Sequence, residues 1–522
     1  MSKRHADSPD DGDASTMSPA RALKNGHREV ADAASEDAGM GEFEDPYGDD
    51  FESEEEEEDE EIIELNDDEE EDVEMAEEGE ASSSAVAAPP SQKETPRIYL
   101  PHRNELGKDE ILEPDPTVYE MLHRVNLNWP CLSFDVLPDA LGAERRGYPK
   151  TTYFIAGTQA ARKKDNEITV IKLSDLSKTL EHADGEESDS DDEGDGVDTE
   201  PVLESRSLPT TDTTNRVRVS PHAAKTSEYL AASLSESGDV YIWDVTPHMT
   251  AFDTPGFTVT KQQNRPVHTI RAHGGVEGYA VDWSPLAVSG QLLTGDVTGR
   301  IHLSTRGTAS WSTDKTPFCV SSSNAASIED IQWSQTEKSV FASAGADGYL
   351  RVWDVRSKKH RPAISVKASA SDVNVISWSK SVSYLLASGH DDGSWAIWDL
   401  RTFKPSGPSA SAAPTPSPVA SFAYNKSPIT SIEFHPSEDS ILAVSSADNT
   451  VMLWDLSVEA DDEEIAAQKR DDPNADLDDI PPQLLFAHWQ KDVKEIHWHP
   501  QIPGMIMSTG ADGMALWKSI SV

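Results

Sequence analysis

Residues 372–399 read D-V-N-V-I-S-W-S-K-S-V-S-Y-L-L-A-S-G-H-D-D-G-S-W-A-I-W-D. The stretch begins with an alternating segment that ends in W-S, continues with a strand of small residues, and turns tightly at G-H-D-D-G. A second alternating segment then ends in W-D. Alternation with a period of two, interrupted by tight turns rich in Gly and Asp, predicts antiparallel β-strands joined by short connections.

The same pattern recurs along most of the chain after Thr95, and repetition of this kind indicates a fold built from repeated structural units. Comparable first segments are Arg216–Pro221, Gly278–Pro285, Glu329–Ser334, Asn374–Ser379, Ser431–Pro436 and Glu495–Pro500. The shortest interval between aligned strand ends runs from Trp333 to Trp378 and is 45 residues. This is the length of one blade of a WD-repeat propeller, ~40–45 residues.

An earlier, degenerate blade is predicted in Leu132–Pro138, Thr152–Thr158 and Ile168–Leu173. The predicted fold class is therefore all-β, a seven-bladed WD-repeat β-propeller, within the usual range of ~4–8 blades. A single blade cannot bury both of its faces, so the blades stack radially and ring closure removes the exposed edges. The last repeat has no fourth strand before Val522, so we expect a segment near Arg97–Arg103 to close the ring.

Four residues of the last repeat occupy the positions of the WD structural tetrad, namely His488, Ser508, Asp512 and Trp517. We expect them to form a buried polar network that fixes the turn, and not a catalytic group. In the third repeat Ser304 stands at the Trp position, which predicts a less regular outer strand in that blade.

Acidic residues dominate the composition, with 95 Asp and Glu against 44 Lys and Arg and a net charge of −51. Residues 1–96 hold 34 of these acids and 6 basic residues. Such a segment cannot bury a core, so we expect a disordered acidic tail before a propeller over 97–522. A field of this sign repels nucleic acid and anionic lipid and attracts Lys- and Arg-rich proteins.

Two long acidic loops interrupt the repeats at 181–200 and 459–482. Loops of this length are either functional or disordered. Ser188 and Ser190 lie in S-D-S-D-D-E, a context that suits an acid-directed kinase, although an unmodified solvated loop is an equal alternative.

The motifs of enzymes and cofactor sites are absent from the sequence. It contains no P-loop, no dinucleotide fingerprint and no G-x-S-x-G motif. His497 and His499 share a strand face but lack an evident third ligand, so no metal is expected. We therefore expect a binding protein without cofactors, not an enzyme.

Two segments go beyond the repeats. Val118, Met121, Leu122 and Val125 fall at helical spacing, which predicts a short N-terminal helix over 117–125 with Asp115 as its cap. A helix before the first blade and an acidic P-P loop before the last resemble the histone-binding WD-repeat family. In that family a groove between helix and loop binds a basic histone helix. The matching positions here are Val118, Met121, Leu122, Asp476, Asp478, Asp479, Pro481 and Pro482.

The chain resembles one branch of that family more closely, the glutamate-rich WD-repeat proteins. The strings that carry the resemblance are R-I-Y-L-P at 97–101, P-C-L-S-F-D at 130–135, A-G-T-Q-A at 156–160, N-R-V-R-V-S at 215–220, L-L-T-G-D at 292–296 and H-W-H-P-Q at 497–501. The resemblance implies a chaperone that escorts the basic third large-subunit ribosomal protein, uL-three, during nucleolar ribosome assembly. It also implies a nuclear and nucleolar location, with a cytoplasmic phase for client capture.

The predicted client site is the top face of the propeller, on the acids Glu236, Glu277, Glu329, Asp330, Asp372 and Asp391. The side groove is the alternative site. We expect a monomer that binds its basic client without direct contact to nucleic acid or membrane.

Two other functions are open. A histone chaperone or chromatin scaffold shares the helix and the P-P loop, and charge alone does not separate the two clients. A substrate receptor of a ubiquitin ligase is indicated weakly by W-D-V-R and W-D-L-R, which end at Arg356 and Arg401 on consecutive blades.

Overall fold

Antiparallel sheets follow one another along the chain in the computed structural model, which describes residues 112, 114–179, 200–320, 326–404, 416–459 and 480–522. Seven sheets lie in these ranges, and six of them are built from consecutive strands. The inner strands of neighbouring sheets contact each other around the whole ring. The prediction of a seven-bladed, all-β propeller is therefore confirmed.

The first strand, β1 (Tyr119–Val125), belongs to the last blade. The first blade then contains β2 (Cys131–Val136), β3 (Lys150–Thr158), β4 (Glu167–Leu176) and β5 (Val202–Pro209). The second contains β6 (Thr214–Val219), β7 (Leu230–Ser235), β8 (Val240–Asp244) and β9 (His268–Ile270). The third contains β10 (Ala280–Trp283), β11 (Gln291–Gly295), β12 (Arg300–Arg306), β13 (Trp311–Thr313) and β14 (Phe318–Cys319).

The remaining four blades follow the same order from the inner to the outer strand. The fourth contains β15 (Ile328–Trp333), β16 (Val340–Gly345), β17 (Tyr349–Asp354) and β18 (Ile364–Lys367). The fifth contains β19 (Val373–Trp378), β20 (Leu385–His390), β21 (Trp395–Asp399) and β22 (Ala420–Phe422). The sixth contains β23 (Ile429–Phe434), β24 (Ile441–Ser446), β25 (Thr450–Asp455) and β26 (Leu484–Trp489). The seventh contains β27 (Glu495–Trp498), β28 (Ile506–Gly510), β29 (Gly513–Ser519) and β1.

Two short α-helices accompany the second blade in the described part of the chain, α1 (Ala223–Thr226) and α2 (Thr246–Asp253). Single 3-10 turns occur at Pro116–Val118, Lys163–Asp165 and Leu400–Thr402. None of the helices in the described ranges is long and apolar enough to cross a bilayer.

The core is divided into seven apolar clusters, one between each pair of neighbouring blades. Tryptophans near the outer end of the third strand anchor several of them. The indole N–H groups of Trp243, Trp353 and Trp398 donate to serines on the adjacent strand at 2.8–2.9 Å. Radial stacking stabilises the propeller by burying these large rings, because one blade alone would leave them exposed.

Ring closure differs from the prediction. Residues 117–125 form a 3-10 turn and then β1, which pairs antiparallel with β29 and supplies the missing fourth strand. The predicted helix is therefore wrong, and the predicted closing segment Arg97–Arg103 lies outside the described residues. A β-bulge between Tyr119 and Met121 interrupts strict alternation, which explains why the buried positions imitated helical spacing. The unpaired edge of β29 favours the strand, because its backbone groups need partners.

The third blade keeps its outer strand despite Ser304. Ser304 is fully buried, and its hydroxyl hydrogen-bonds that of Thr313 on β13 at 2.8 Å. Trp311, also on β13, packs edge-on against Trp283 with ring centroids 5.7 Å apart. A tryptophan on the neighbouring strand thus adds a large ring to the apolar cluster between blades two and three, and the predicted irregularity is limited to the short added strand β14.

Candidate functional site

Polar side chains on six of the seven inner strands link neighbouring blades around a central channel. In each link a side-chain oxygen on one inner strand accepts a backbone N–H of the next, at 2.6–3.1 Å. The pairs are Ser133–Val217, Asp135–Val219, Asp282–Trp333, Asp330–Ile376, Gln332–Trp378, Ser377–Phe434, Glu433–Trp498 and Glu495–Phe134. Buried backbone donors require partners, so these side chains hold the ring together at its centre.

Glu495 forms the most heavily connected of these links. Its Oε2 accepts the backbone N–H of Phe134, which joins the last blade to the first. Its Oε1 lies 2.6 Å from Nη1 of Arg216 and 2.7 Å from Nη2 of Arg218. Burial alone would raise the pKa of Glu495, but the two guanidinium groups hold it well below its usual range. The carboxylate is therefore charged and shared among three blades.

His497 lies beside this cluster, with Nδ1 at 3.0 Å from Oε2 of Glu433 and Nε2 at 3.8 Å from Oε1 of Glu495. Burial would lower the pKa of the imidazole, but the two carboxylates outweigh it and raise that pKa to about 9. The ring is therefore cationic at neutral pH and is bound between two anions. It acts as an ion-pair partner of these two carboxylates.

The raised pKa of His497 predicts that the propeller loses stability in alkali. A histidine whose pKa is raised on folding contributes its full stabilisation below about pH 6.5, and the contribution is lost as the pH rises through about 9. A shift of this size corresponds to on the order of 3 kcal/mol. Denaturant unfolding between pH 6 and pH 10 measures it. In His497→Gln the decline over this range should be much smaller, and an unchanged pH profile in that variant would contradict the assignment.

The channel also holds carboxylates that carry no cation of their own. Burial raises the pKa of Asp282 to about 7, although the backbone N–H of Trp333 opposes the rise. Burial likewise raises the pKa of Asp135 and of Asp330. The adjoining cavity is about 180 Å³ and its charged walls already serve the links between blades. The channel is therefore a structural network, and a client site is better sought on a face.

One face of the ring, here called the top face, consists of the loops before each inner strand and the turns between the second and third strands. Each turn donates one backbone N–H to the loop of its own blade. The seven bonds are Gln159–Pro130, Glu236–Thr213, Val297–Glu277, Ala346–Ser327, Asp391–Asp372, Ala447–Pro428 and Ala511–Lys491, at 2.8–3.0 Å. The predicted acids Glu236, Glu277, Asp372 and Asp391 all lie on these loops and turns, so the structure does bring them to one face.

Four of the six predicted acids form a group that we call the acidic patch, on blades three to five. Glu277, Asp372 and Asp391 lie on these loops and turns, and Glu329 lies at the start of β15. No basic side chain of the described residues pairs with any of them. Asn215 donates to Glu277 at 2.8 Å, and the amide of Asn374 lies 3.4 Å from Asp391.

Like charges within the patch also affect each other. Burial raises the pKa of Glu329, and the nearby charge of Asp372 adds to the rise. A hydrogen bond from Ser327 opposes it. The nearby charge of Arg216 also opposes it. Because no basic side chain of the described residues forms an ion pair with these four acids, the patch keeps a net negative charge, which favours a cationic partner.

Two predicted top-face acids differ from this group. Glu236 is exposed but lies 3.7 Å from Nζ of Lys163, which also pairs with Asp212 at 2.9 Å. Asp330 is buried, and its two oxygens accept the backbone N–H groups of Ile331 and Ile376. Its assignment as a contact residue is therefore wrong, because both carboxylate oxygens are engaged by backbone donors and the side chain links blades four and five.

Of the apolar residues predicted for the side groove, two are half-buried and one is fully buried in the core. Val118 and Leu122 are half-buried against an apolar cluster that also contains Leu485 and Phe486 of β26. Met121 is fully buried in the cluster between the last and first blades. Its assignment as a contact residue is therefore wrong, because the segment is a strand whose inward side chains belong to the core.

The P-P loop is described only at its end. Pro481 is half-buried and Pro482 is exposed, immediately before β26. Asp476, Asp478 and Asp479 lie outside the described residues. The predicted phosphorylation sites Ser188 and Ser190 and the predicted tail 1–96 also lie outside them.

Three of the four predicted tetrad residues are buried and Asp512 is half-buried, but they do not form the expected network. Nδ1 of His488 hydrogen-bonds the hydroxyl of Tyr119 at 2.8 Å, and Ser508 donates to Oε1 of Gln490. Oδ1 of Asp512 and Nε1 of Trp517 are buried without a protein partner. The network is different because β1, which replaces the blade's own fourth strand, brings Tyr119 to the histidine.

Arg356 and Arg401 lie on the opposite face, where both side chains are exposed. Each one pairs with the Asp of its own W-D motif, at 2.7 Å and 2.6 Å respectively. Their charges are therefore already compensated within the chain.

Sequence reasoning missed the channel network, although a signal was present. A polar residue stands directly before most of the aligned strand ends, as Arg218, Asp282, Gln332, Ser377, Glu433 and His497 do. In an alternating strand that position faces away from the apolar end residue. Recurrence of polar residues at one inward position would have predicted the links between blades.

Two family models match this chain. Residues 109–177, which include β1 to β4, match a family whose description names the histone-binding protein RBBP4 and the CAF1 complex. Residues 317–354, 361–399 and 416–455 match the WD domain, G-beta repeat. The second match covers parts of blades three to six.

Several known proteins are similar over most of their length. Ribosome assembly protein rrb1 of Schizosaccharomyces pombe is 46% identical over 80% of this chain and 83% of its own. Protein HEAT STRESS TOLERANT DWD 1 of Arabidopsis thaliana is 43% identical over 80% of this chain and 90% of its own. Glutamate-rich WD repeat-containing protein 1 of Dictyostelium discoideum is 41% identical over 79% of this chain and 83% of its own. With this identity across the propeller, the chain belongs to the family of glutamate-rich WD-repeat proteins that includes ribosome assembly protein rrb1.

Proposed function

We propose that this chain acts in ribosome assembly as an escort for a basic large-subunit ribosomal protein, with uL-three as the client. The observation that carries the proposal is the acidic patch, where four carboxylates share one face and form no ion pair among the described residues. The name of the relative rrb1 supports the process. The patch supports the basic character of the client.

The physical role of such a chaperone follows from the charge of its client. A new ribosomal protein carries Lys- and Arg-rich surfaces that rRNA will later cover. A chain with a net charge of −51 attracts these surfaces over a distance and raises the rate of capture. Exposed ion pairs contribute little individually, so release is easy. RNA phosphates then displace the acids by competition at the assembly site.

The proposed function also implies where in the cell the protein acts. Early large-subunit assembly takes place in the nucleolus, so the escort works in the nucleus and nucleolus. A cytoplasmic phase lets it meet the client soon after synthesis. We propose binding to a protein client without direct contact to nucleic acid.

A histone-binding role is the second candidate, and one observation favours it. The match over residues 109–177 is to a family described as histone-binding. Val118 and Leu122, within that match, are half-buried beside β26, where the predicted side groove would begin. The two roles use different surfaces, so surface variants separate them.

Charge reversal on the acidic patch tests the client site. The full chain with Glu277→Lys, Glu329→Lys and Asp372→Lys should retain the basic N-terminal segment of uL-three at least tenfold less well at physiological salt. The reason is that three attractive charges become repulsive. A pulldown in which the segment competes with histone tails measures retention.

The matched control places the same charge change on the opposite face, at Glu337, Glu438 and Asp439, which are exposed. It should retain the segment nearly as well as the unmodified chain. If both triple variants lose the segment equally, net charge alone governs binding and the assigned site is wrong. If histone tails displace the segment, the second candidate is favoured.

A further inference from the structure

A pocket opens on the top face at the junction of the last and first blades, on different blades from the acidic patch. Its walls are the segment between β1 and β2 and the turn between β28 and β29. The volume is about 280 Å³. Small-molecule sites begin at roughly 300 Å³, so the pocket is suited to a single long side chain and not to a cofactor.

The walls combine apolar surface with one carboxylate. Leu127, Trp129 and Met514 supply apolar and aromatic surface, and Asp512 supplies the charge. Oδ1 of Asp512 is buried without a hydrogen-bond partner. No ion pair or hydrogen bond of the described residues involves this carboxylate, although native proteins usually satisfy buried polar atoms.

Among the described residues Asp512 has no hydrogen-bond partner, because the expected one is engaged elsewhere. In a regular blade the acid at this position bonds the histidine, as Asp296 bonds His273 at 2.9 Å in the third blade. In the last blade Tyr119 of the closing strand binds His488 instead. Because β1 brings Tyr119 to His488, the carboxylate of Asp512 lacks its usual histidine partner and can pair with a cationic ligand.

The pocket is held in shape by the backbone. Gly513 has a φ of +102°, and a Cβ there would lie 2.6 Å from the carbonyl oxygen of Val125. Only glycine allows the turn to approach the neighbouring strand this closely. The amide of Gln490 donates to the Gly513 carbonyl at 3.1 Å and fixes the same turn. A rigid pocket lowers the entropic cost of ordering a ligand.

We propose that this pocket binds one arginine side chain of an extended basic segment, and so anchors the client in a fixed register. The inference rests on the proposed function and adds the identity of the anchor residue. The aliphatic stem of the arginine packs on Leu127 and Met514, while the guanidinium contacts Trp129 and pairs with Asp512. Lysine is a weaker occupant, because an ammonium group does not stack on an indole as a planar guanidinium does.

Single-charge variants of the full chain test the anchor, with nona-arginine, nona-lysine and the basic segment of uL-three as probes. Asp512→Asn should weaken nona-arginine binding about tenfold and remove most of the preference for arginine over lysine. Asp492→Asn is the control. It removes the same charge from the same face, Asp492 is exposed, and its φ of +49° suits asparagine. It should weaken binding less than twofold.

A second variant separates anchoring from charge. Trp129→Leu keeps the charge and should reduce the same preference, and the double variant with Asp512→Asn should lose little more than either single variant. Equal losses in Asp512→Asn and Asp492→Asn would overturn the anchor, because Asp512 would then act only as surface charge. Failure of the chain to prefer the uL-three segment over histone tails would overturn the proposed client, while the nona-arginine comparison still decides the anchor. Thermal unfolding of each variant confirms that it is folded.

Discussion

Replacement of Glu495 by glutamine is expected to lower the free energy of unfolding by about 3–5 kcal/mol. Glutamine still accepts the backbone N–H of Phe134, but it removes the negative charge that lies between Arg216 and Arg218. Two guanidinium groups then remain in the channel without their shared counterion. Breaking one side of a buried ion pair is costly, because the remaining charge is desolvated and unpaired. Urea unfolding at pH 7 measures the change.

Glu438→Gln is the matched control for this variant. Glu438 is exposed on the opposite face, and its loss should change the free energy of unfolding by less than about 0.5 kcal/mol. A change of similar size in both variants would show that Glu495 has no special role in the ring. The nearby carboxylates of Asp135 and Asp330 also act on Arg218, which places the expected effect toward the lower end of the range.

Removal of the closing strand is expected to have the second large effect. A chain that begins at residue 126 lacks β1 and loses the buried side chains of Tyr119, Met121 and Val125. Each contributes about 1.5–3 kcal/mol when it is fully buried. The edge of β29 also becomes unpaired. This loss approaches the total stability of a typical domain, about 5–15 kcal/mol, so the protein should melt far below the full chain or aggregate.

A chain that begins at residue 97 is the control, since it keeps β1 and removes only the predicted tail. Its thermal midpoint should match that of the full chain. An unchanged midpoint after removal of residues 1–125 would mean that β1 does not close the ring. Differential scanning calorimetry of the three chains provides the comparison.

The blade count could be predicted from the sequence because it depends on a repeated local pattern. Alternation and tight turns are properties of neighbouring residues, and they identified all seven blades, including the degenerate first one. The acids of the top face could be predicted for the same reason, since turn positions such as Glu277 and Asp391 lie at one end of each strand pair. The local sequence pattern was sufficient to predict the features that recur in every blade.

The pairing partner of a segment could not be predicted in this way. Residues 119–125 satisfy both a helical and a bulged strand pattern, and the unpaired edge of β29 decides between them. The missing partner of Asp512 could not be predicted for the same reason. The pairing of β1 with β29 brings Tyr119 to His488, and Tyr119 makes the hydrogen bond that Asp512 would have made. Asp330 was misplaced for a related reason, since its side chain accepts the backbone N–H of Ile376 on the next blade, a partner 46 positions away in the sequence.

The pairing of β1 with β29 also has a consequence for synthesis. Tyr119 pairs with Ser519, a partner 400 positions later. Ribosomes add about 5–20 residues per second, so β1 waits on the order of a minute before its partner exists. During that time the last blade is missing and the nascent ring is open, so the apolar face of the first blade that packs against the last blade is exposed. The protein is proposed to protect a newly synthesised ribosomal protein. During its own synthesis, part of its apolar core is exposed to solvent until the last blade forms.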